Sequence, residues 1–177
     1  MIISIEKARD LVSFPESWTD EKIGMKLLAV EQTIRAYTNN NFQNRGIRVQ
    51  ACIRCGVFKS DSPIPFVVGD TVQVSESLYN SGLCTVFETG DTAFMVNEET
   101  RDEDNVLVTK IEYPADVVAC CVNLLEWEVN NRGKVGIKSE TLSRHSVTYF
   151  DADAGNQVMG YPASLLGCLK AYRKVRC

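Results

Sequence analysis

Apolar residues near the start of the chain recur every three or four positions, which is the spacing of an amphipathic helix. Residues 4–12 predict a short helix with Ser4 as its N-cap. A longer helix is predicted to begin after Ser17 or Thr19 and to run to about Tyr37. The residues predicted to form its buried stripe are Ile23, Leu27, Val30, Ile34 and Tyr37.

Residues 43–112 lose this helical spacing. They consist of short runs of Val, Ile, Thr and Phe between turn residues such as Asn80 and Gly82, a pattern typical of strands. The predicted strands are 47–53, 71–75, 83–88, 92–97 and 105–112. This much strand inside a helical frame predicts an inserted small β-domain.

Helical spacing returns after the β-rich region. A second long helix is predicted to begin at Pro114, since proline is favoured in a first turn, and to end near Gly133. The residues predicted to form its apolar face are Val117, Val118, Cys121, Leu124, Leu125 and Val129. Pro162 is predicted to begin a final short helix. The apolar face of that helix is Leu165, Leu166, Leu169 and Tyr172.

Between these two helices, residues 137–150 alternate loosely between polar and apolar, which predicts an extended arm or a hairpin. The chain is predicted to be mainly α: a small antiparallel helical bundle with an inserted small β-domain, so α+β overall. In this scheme 1–42 and 113–177 form a discontinuous helical core and 43–112 form the β-rich module. An extended arm, 137–160, lies within the core.

The length of 177 residues suits one domain, or one domain with an elaborate insertion. No apolar run approaches the roughly 20 residues that cross a bilayer. Glu6 and Lys7 interrupt the N-terminus where a signal peptide would be apolar. We therefore expect a protein that is made and kept in the cytoplasm, without a membrane partner.

Charge is unevenly placed along the chain, whose formal net charge is −4. Residues 43–112 carry 6 Lys/Arg and 11 Asp/Glu, a balance of −5, whereas the remainder carries 13 and 12, a balance of +1. Tight duplex binding depends on neutralising phosphates with basic side chains. The charge balance therefore argues against a nucleic-acid-binding module.

The seven cysteines are odd in number and scattered, which argues against a secreted disulfide framework. Cys120, Cys121 and Cys168 fall in apolar helical patterns, where free cysteine behaves as a small hydrophobe. Cys52 and Cys55 form a CxxC, but a zinc site needs a second pair or histidines nearby. A redox dithiol would need the pair at a helix N-terminus.

Two other polar clusters are candidates for chemistry. His145, the only histidine, lies between Ser143 and Ser146, but neighbours along an extended arm do not converge on one reacting atom as a triad does. The acidic loop lacks the spacing of a calcium loop; its acids are Glu98, Glu99, Asp102, Glu103 and Asp104. We predict no catalytic residue, no metal site and no cofactor, and therefore not an enzyme.

Basic residues crowd the end of the chain; they are Lys170, Arg173, Lys174 and Arg176. They have two interpretations, which stay open together. One is a favourable interaction with the helix dipole and solvent. The other is docking onto an acidic partner or onto a DNA backbone without sequence specificity.

Three features together resemble the head–tail connector (head-completion adaptor) proteins of tailed bacteriophages. The first is AVEQTIRAYTNNNF at 29–42, where the family tends to end a helix in an Ile-Arg-x-Tyr-Thr-Asn-like motif. The second is Tyr113-Pro114, which opens a long helix. The third is IKSETLSRHSVTY at 137–149 followed by GYPASLLGCLKAYRKVR at 160–176, like a Ser/Val/Tyr arm before a short helix ending in Leu-x-x-Tyr-Arg-Arg.

The resemblance covers about half of the chain, 17–42 and 113–177. The insertion at 43–112 departs from the smallest members of the family and resembles a β-module that phage neck proteins sometimes carry. The resemblance implies a structural protein of the virion neck. About a dozen copies would form a ring beneath the portal, join the DNA-filled head to the tail and extend the DNA channel.

The implied partners are the portal ring, the next neck or tail-completion protein, other copies of this chain, and genomic DNA passing without sequence-specific binding. The predicted assembly interface consists of Ser139, Glu140, Ser146, Tyr149, Phe150, Tyr161, Tyr172, Arg173, Lys174 and Arg176. Its aromatic residues were expected to be exposed as anchors. Two alternatives are another phage morphogenesis factor, for tail completion or portal binding, and a thiol- or metal-dependent enzyme that uses Cys52 and Cys55.

Overall fold

The computed structural model describes residues 1–134, 139–142, 145–148 and 157–175. The chain divides into two compact units. One is a helical unit, made of Met1–Asn40 and Pro114–Cys177, and the other is a β-barrel, Asn41–Tyr113. Among the described residues, no helix is both long enough and apolar enough to cross a membrane.

The helical unit begins with α1, Ile5–Leu11, and α2, Asp20–Thr38. The predicted N-cap Ser4 is confirmed, since the backbone N–H of Lys7 donates to Ser4 Oγ at 3.2 Å. Of the two candidates for α2, Ser17 and Thr19, the cap is Thr19, whose Oγ1 accepts from the N–H of Lys22 at 3.4 Å. The predicted stripe of α2 is buried except for Tyr37, which is half-buried; it consists of Ile23, Leu27, Val30 and Ile34.

The third helix, α3, spans Ala115–Asn131, directly after Pro114 as predicted. It continues into a short 3-10 helix, Arg132–Lys134, that contains the predicted stop at Gly133. Two buried residues of α3, Cys120 and Glu128, were not part of the predicted apolar face, whereas the predicted Val118 and Val129 are half-buried. The buried set is Val117, Cys120, Cys121, Leu124, Leu125 and Glu128.

The described part of the predicted arm contains strands. β7, Ser139–Leu142, pairs antiparallel with β8, His145–Thr148, and β9, Gln157–Val158, pairs with β10, Tyr161–Pro162. The pairing of β7 with β8 corresponds to the hairpin interpretation of this segment. Met159 and Gly160 form the turn between β9 and β10, and the other arm residues lie outside the described ranges.

The prediction of a final helix from Pro162 is wrong. Pro162 is paired in β10, and within the described residues the helical stretch that follows it is a 3-10 helix, Gly167–Tyr172. Six residues give too few backbone hydrogen bonds to hold an α-helix without tertiary contacts. Two residues of the predicted apolar face, Leu166 and Leu169, are nevertheless fully buried.

The barrel contains six antiparallel strands in the order β1-β2-β5-β4-β3-β6, and β6 pairs with β1 to close it. The strands are β1 Gln43–Arg54, β2 Val57–Lys59, β3 Thr71–Ser75, β4 Gly82–Thr89, β5 Ala93–Val96 and β6 Glu103–Ile111. Five of the six were predicted. β2 was missed because three residues after a turn carry almost no alternation.

The barrel interior is filled by apolar side chains. Phe94 lies at its centre, with its ring 4.7 Å from that of Phe58 and 5.3 Å from that of Phe66. The buried cluster consists of Val49, Ala51, Ile53, Phe58, Phe66, Val72, Val74, Cys84, Val86, Phe94, Val96, Val106 and Val108. Alternate residues of each strand point inward, so closing the sheet collects them into one core.

The chain enters and leaves the barrel side by side. Gln43 of β1 is paired with Ile111 of β6, and the N–H of Glu112 donates to the carbonyl of Phe42 at 3.0 Å. The rings of Phe42 and Tyr113 lie 5.0 Å apart. This arrangement follows from closure, because the first and last strands become neighbours.

The predicted fold class, a mainly α protein built as a small antiparallel helical bundle, is wrong. Strands account for about as much of the described chain as helices do, and most of them belong to the closed six-stranded barrel. The reason is the extent of pairing: β1 is longer than predicted, and the missed β2 bridges β1 and β5 so that the sheet closes.

Candidate assembly surface

The predicted interface residues fall into three groups. Ser139 and Glu140 lie in β7 and Ser146 lies in β8, opposite Thr141. Three more, Tyr149, Phe150 and Arg176, lie outside the described residues. The third group, in the last part of the chain, consists of Tyr161, Tyr172, Arg173 and Lys174.

The expectation that Tyr161 is exposed is wrong, because its side chain is only 5% exposed. Its hydroxyl donates a hydrogen bond of 2.8 Å to Glu128 Oε1, and its ring packs 5.2 Å from that of Trp127. A buried tyrosine hydroxyl is stable when it finds such a partner. Tyr161 therefore attaches β10 to α3 instead of facing a partner.

Glu128 is the centre of a buried charged cluster, which we call the Glu128 network. Lys26 of α2 donates to Oε2 at 2.7 Å, and Arg132 donates to Oε1 through both Nε, at 2.9 Å, and Nη2. Tyr161 is the fourth member. The carboxylate is 4% exposed and still paired on both oxygens, which is how a protein tolerates a buried charge.

Arg132 also ties together the two ends of the arm. Its Nη1 donates to the carbonyl of Gly160 at 3.1 Å. Its guanidinium lies 4.6 Å from the ring of Trp127 and 5.0 Å from that of Tyr161, within the range of cation–π attraction. Arg132 precedes the arm and Gly160 ends it. This one side chain therefore links the two points where the arm joins the helical unit, which we call the roots of the arm.

The pKa values of the network follow from these contacts. Burial alone would raise the pKa of Glu128, but hydrogen bonds from Arg132, Lys26 and Tyr161 outweigh burial and lower it to about 2. Burial and the hydrogen bond to Glu128 raise the pKa of Tyr161. At neutral pH the network therefore holds an ionised carboxylate and a neutral tyrosine.

The last part of the chain is held against the helices by polar contacts. The hydroxyl of Tyr172 donates to the Asp116 carboxylate, with oxygen distances of 2.7 and 2.8 Å. The N–H of Lys174 donates to the carbonyl of Thr38 at 2.8 Å. Asn39 Nδ2 lies 3.5 Å from the carbonyl of Lys174 and 3.4 Å from that of Val175.

These contacts display a short basic and apolar segment, which we call the C-terminal tip: Arg173, Lys174 and Val175. Arg173 stacks over the ring of Tyr37 at 5.2 Å. Val175 is 86% exposed although its backbone is anchored. A six-residue 3-10 helix offers little dipole for the basic residues to complement, which favours the docking interpretation over the helix-dipole one.

The CxxC cysteines do not share one setting. Cys52 is half-buried on β1 beside Lys59, at a shallow polar cavity of about 330 Å³. Cys55 is exposed in the turn after β1, with φ of 51°, and its N–H donates to Asp102 Oδ1 at 2.7 Å. Asp102 of the acidic loop therefore acts as a turn partner.

Of the three cysteines predicted to pack as small hydrophobes, Cys120 and Cys121 are buried, whereas Cys168 is exposed. Cys84 is also buried. Burial raises the pKa of Cys84 to about 11 and that of Cys121 to about 12. The same cause raises the pKa of Cys120, whose thiol lies 3.3 Å from the carbonyl of Leu165. These thiols stay protonated at neutral pH and are poor nucleophiles.

Two other acids of the loop, Glu103 and Asp104, also have structural partners. Glu103 accepts hydrogen bonds from the Ser77 hydroxyl and from Asn80 Nδ2, and these lower its pKa, the Ser77 bond most. Asp104 pairs with Arg54. Within the described ranges, no three His, Cys, Asp or Glu residues are grouped as metal ligands.

Comparison with known proteins adds no relative. No protein-family model matches the sequence, and no curated protein is significantly similar to it.

The position of Glu128 could have been suspected from the sequence, because it falls one turn after Leu124 and Leu125 on the apolar stripe of α3 and lies four residues before Arg132.

Proposed function

We propose that this chain is a structural protein of the neck of a tailed bacteriophage. It is made in the bacterial host cytoplasm and forms a ring of about a dozen copies beneath the portal. The ring joins the DNA-filled head to the tail and extends the DNA channel. In this proposal the chain is not an enzyme and binds no cofactor.

The observation that carries the proposal is that side-chain contacts fix both ends of the arm. Arg132 bonds to Gly160, and the Glu128 network holds β10 against α3, so both roots of the arm are fixed to the helical unit. The segment between those roots is the one whose residues resemble the connector arm. A fixed root keeps an assembly arm aimed at one partner and lowers the entropy lost when it docks.

The charge balance is compatible with a channel wall. The barrel region carries the surplus of acid, 11 Asp/Glu against 6 Lys/Arg within 43–112. Acidic surface repels the DNA backbone, so DNA passes without being retained. This supports passage of the genome rather than binding to it.

The decisive experiment is quantitative mass spectrometry of purified virions from the source phage. We expect this chain and the portal subunit in a ratio near one to one, since a ring stacked on the portal repeats its symmetry. Absence of the chain from intact, infectious particles would falsify the neck assignment.

The arm has its own test. Residues 138–156 are replaced by a short Gly-Ser linker, which keeps Arg132 and Gly160 in place. We expect unchanged helical circular dichroism but no incorporation into particles in a complementation assay. Helical signal lost along with incorporation, or incorporation equal to that of the wild-type chain, contradicts the assembly role of the arm.

Replacing Cys52 and Cys55 with serine separates the structural proposal from the thiol-dependent enzyme. A neck protein keeps wild-type particle yield in this double variant. The matched control is Cys168→Ser, which changes another exposed cysteine. A loss of infectivity in the double variant alone would favour thiol or metal chemistry.

A further inference from the structure

The barrel carries an exposed apolar surface where the loop after β2 runs alongside the end of β4. We call it the hairpin face and define it by Val67, Val68, Phe87, Glu88 and Asp91. Val67, Val68 and Phe87 are 60%, 61% and 58% exposed. Large apolar side chains grouped at this exposure commonly mark an interaction site.

Backbone contacts place these residues together. The N–H of Gly69 donates to the carbonyl of Val86 at 2.9 Å, and Thr89 Oγ1 donates to the carbonyl of Phe66 at 3.2 Å. The two segments therefore run antiparallel. This register sets Val68 beside Phe87, which occupies the bulge where β4 pairs irregularly with β5.

Two shallow cavities adjoin the hairpin face and share Thr89 and Gly90. One, of about 200 Å³, has Glu88 on its wall among apolar groups such as Val57 and Met95. The other, of about 580 Å³, has Asp91 on its wall and is lined by Pro63, Ile64 and Phe66. Each cavity therefore combines an apolar wall with one carboxylate.

Neither carboxylate is neutralised within the described chain: Glu88 and Asp91 are exposed, and no described cation forms an ion pair with them. The occupant that fits is therefore an apolar side chain flanked by basic ones. Strand addition is not an option, because the barrel is closed and offers no unpaired edge.

The C-terminal tip has this composition. Val175 is the most exposed large apolar residue of the described chain, and Lys174 and Arg173 precede it. Its backbone is anchored because the N–H of Lys174 donates to the Thr38 carbonyl and Asn39 Nδ2 donates to the carbonyls of Lys174 and Val175. An anchor that is ordered before docking loses less entropy when it binds.

We propose that the C-terminal tip of one copy docks on the hairpin face of a second copy. Val175 enters an apolar cavity, and Arg173 and Lys174 lie against Glu88 and Asp91. The contact joins two different surfaces, so it repeats from copy to copy and generates a ring when the rotation closes. It rests on the proposed function, since it supplies the contact between copies that a neck ring needs.

Two complementary variants of the full chain test the pairing of charges. The first is Glu88→Lys with Asp91→Lys; the second is Arg173→Glu with Lys174→Glu. Sedimentation velocity over a concentration series measures self-association. We expect each variant alone to associate roughly tenfold more weakly than wild type, because like charges then face each other.

Mixing the two variants gives the decisive result. In a solution of one variant, the tip and the face carry the same charge and repel each other. In the mixture, the basic tip of the first variant meets the acidic face of the second, and the acidic tip of the second meets the basic face of the first. The mixture should therefore associate more strongly than either variant alone. A folding defect cannot produce this recovery. The matched control is Glu99→Lys, an exposed acid elsewhere on the barrel, which should associate like wild type.

Photo-cross-linking identifies the docked surface. Val175 is replaced by p-benzoylphenylalanine in unlabelled copies, which are mixed with copies labelled with heavy nitrogen. Trypsin releases the whole hairpin face in one peptide, residues 60–101, since no Lys or Arg lies between Lys59 and Arg101. We expect cross-links from the unlabelled tip to the heavy form of that peptide.

The inference is overturned by cross-links confined to one copy or directed to another peptide, by a chain that stays monomeric at its solubility limit, or by a mixture that fails to associate. Its failure is separable from that of the proposed function. A one-to-one ratio with the portal in virions, together with no recovery on mixing, removes this contact and leaves the neck role in place.

Discussion

The two units of this protein differ in what they bury. The buried cluster inside the barrel consists of thirteen apolar side chains, and the buried polar residues of this unit are Thr71 and Thr109. The helical unit buries two carboxylates, Glu31 and Glu128, at 2% and 4% exposure. One unit is held by uniform packing and the other also by specific charged contacts.

The difference reflects what each unit must hold together. In the barrel, every strand is paired on both sides, so backbone bonds and apolar packing are sufficient. In the helical unit, Glu128 accepts hydrogen bonds from Lys26, Arg132 and Tyr161, which lie in three separate segments. Buried ion pairs add little net stability, but they fix which segments meet.

The largest expected effect is in the barrel core. Replacing Phe94 with alanine removes a side chain that is 1% exposed and contacts two other rings. We expect the barrel's free energy of unfolding to fall by about 3–5 kcal/mol. Hydrogen exchange of barrel amides measures this, because tryptophan fluorescence reports only the helical unit, where Trp18 and Trp127 lie.

Phe87→Ala is the matched control, since Phe87 belongs to the same barrel but is 58% exposed. Its effect on stability should stay within about 0.5 kcal/mol. Equal losses for Phe87→Ala and Phe94→Ala would mean that the interior of the barrel is not its main source of stability.

The next effect is in the Glu128 network. Glu128→Gln keeps the shape but leaves Lys26 and Arg132 without a carboxylate. We expect a loss of about 2–3 kcal/mol, less than for a fully buried pair because both cations are partly solvated. Urea denaturation followed by tryptophan fluorescence measures it. The control is Glu126→Gln on the exposed face of α3, which should be nearly neutral.

The same pair of proteins gives a pH test. The pKa of Glu128 is lowered to about 2 in the folded protein, against an ordinary value of about 4.3 for glutamate. Its contribution is therefore fully present above the ordinary value and is lost as the pH falls toward 2. The stability difference between wild type and Glu128→Gln should narrow over that range; a constant difference contradicts the ionised network.

The smallest effect concerns a turn of the barrel. The N–H of Asp70 donates to the carbonyl of Val67, and Gly69 has φ of +89°, as the third position of a type II turn requires. Gly69→Ala should cost about 1–2 kcal/mol in denaturation experiments. Gly82→Ala is the control: it has open space and no positive φ, so it should be nearly neutral.

The local elements of this fold were readable from sequence because their signals are local. Ser4 caps α1 as predicted, Thr19 is one of the two predicted caps of α2, and the stripe of α2 is buried at Ile23 and Ile34. Such features depend on residues three or four positions apart. Pairing between β1 and β6 joins residues about 60 positions apart, and no short-range pattern encodes it.

The candidate site was less predictable for the same reason. The sequence drew attention to Tyr161 as an aromatic residue near the arm, but only the fold shows that its hydroxyl meets Glu128, 33 positions earlier. Glu128 was not among the predicted site residues. Arg173 and Lys174 were recognised from their charge alone, whereas the anchoring of Val175 by Asn39 required the folded chain.

The two ends of the barrel lie side by side, so the barrel is a module that can be removed or exchanged as a whole. Its first and last residues, around Phe42 and Tyr113, are already neighbours, so removing the barrel leaves a gap that a short linker can bridge. A recombination event can then exchange the whole module without altering the order of α1, α2 and α3. The same two joints offer a position at which a reporter domain can replace the barrel.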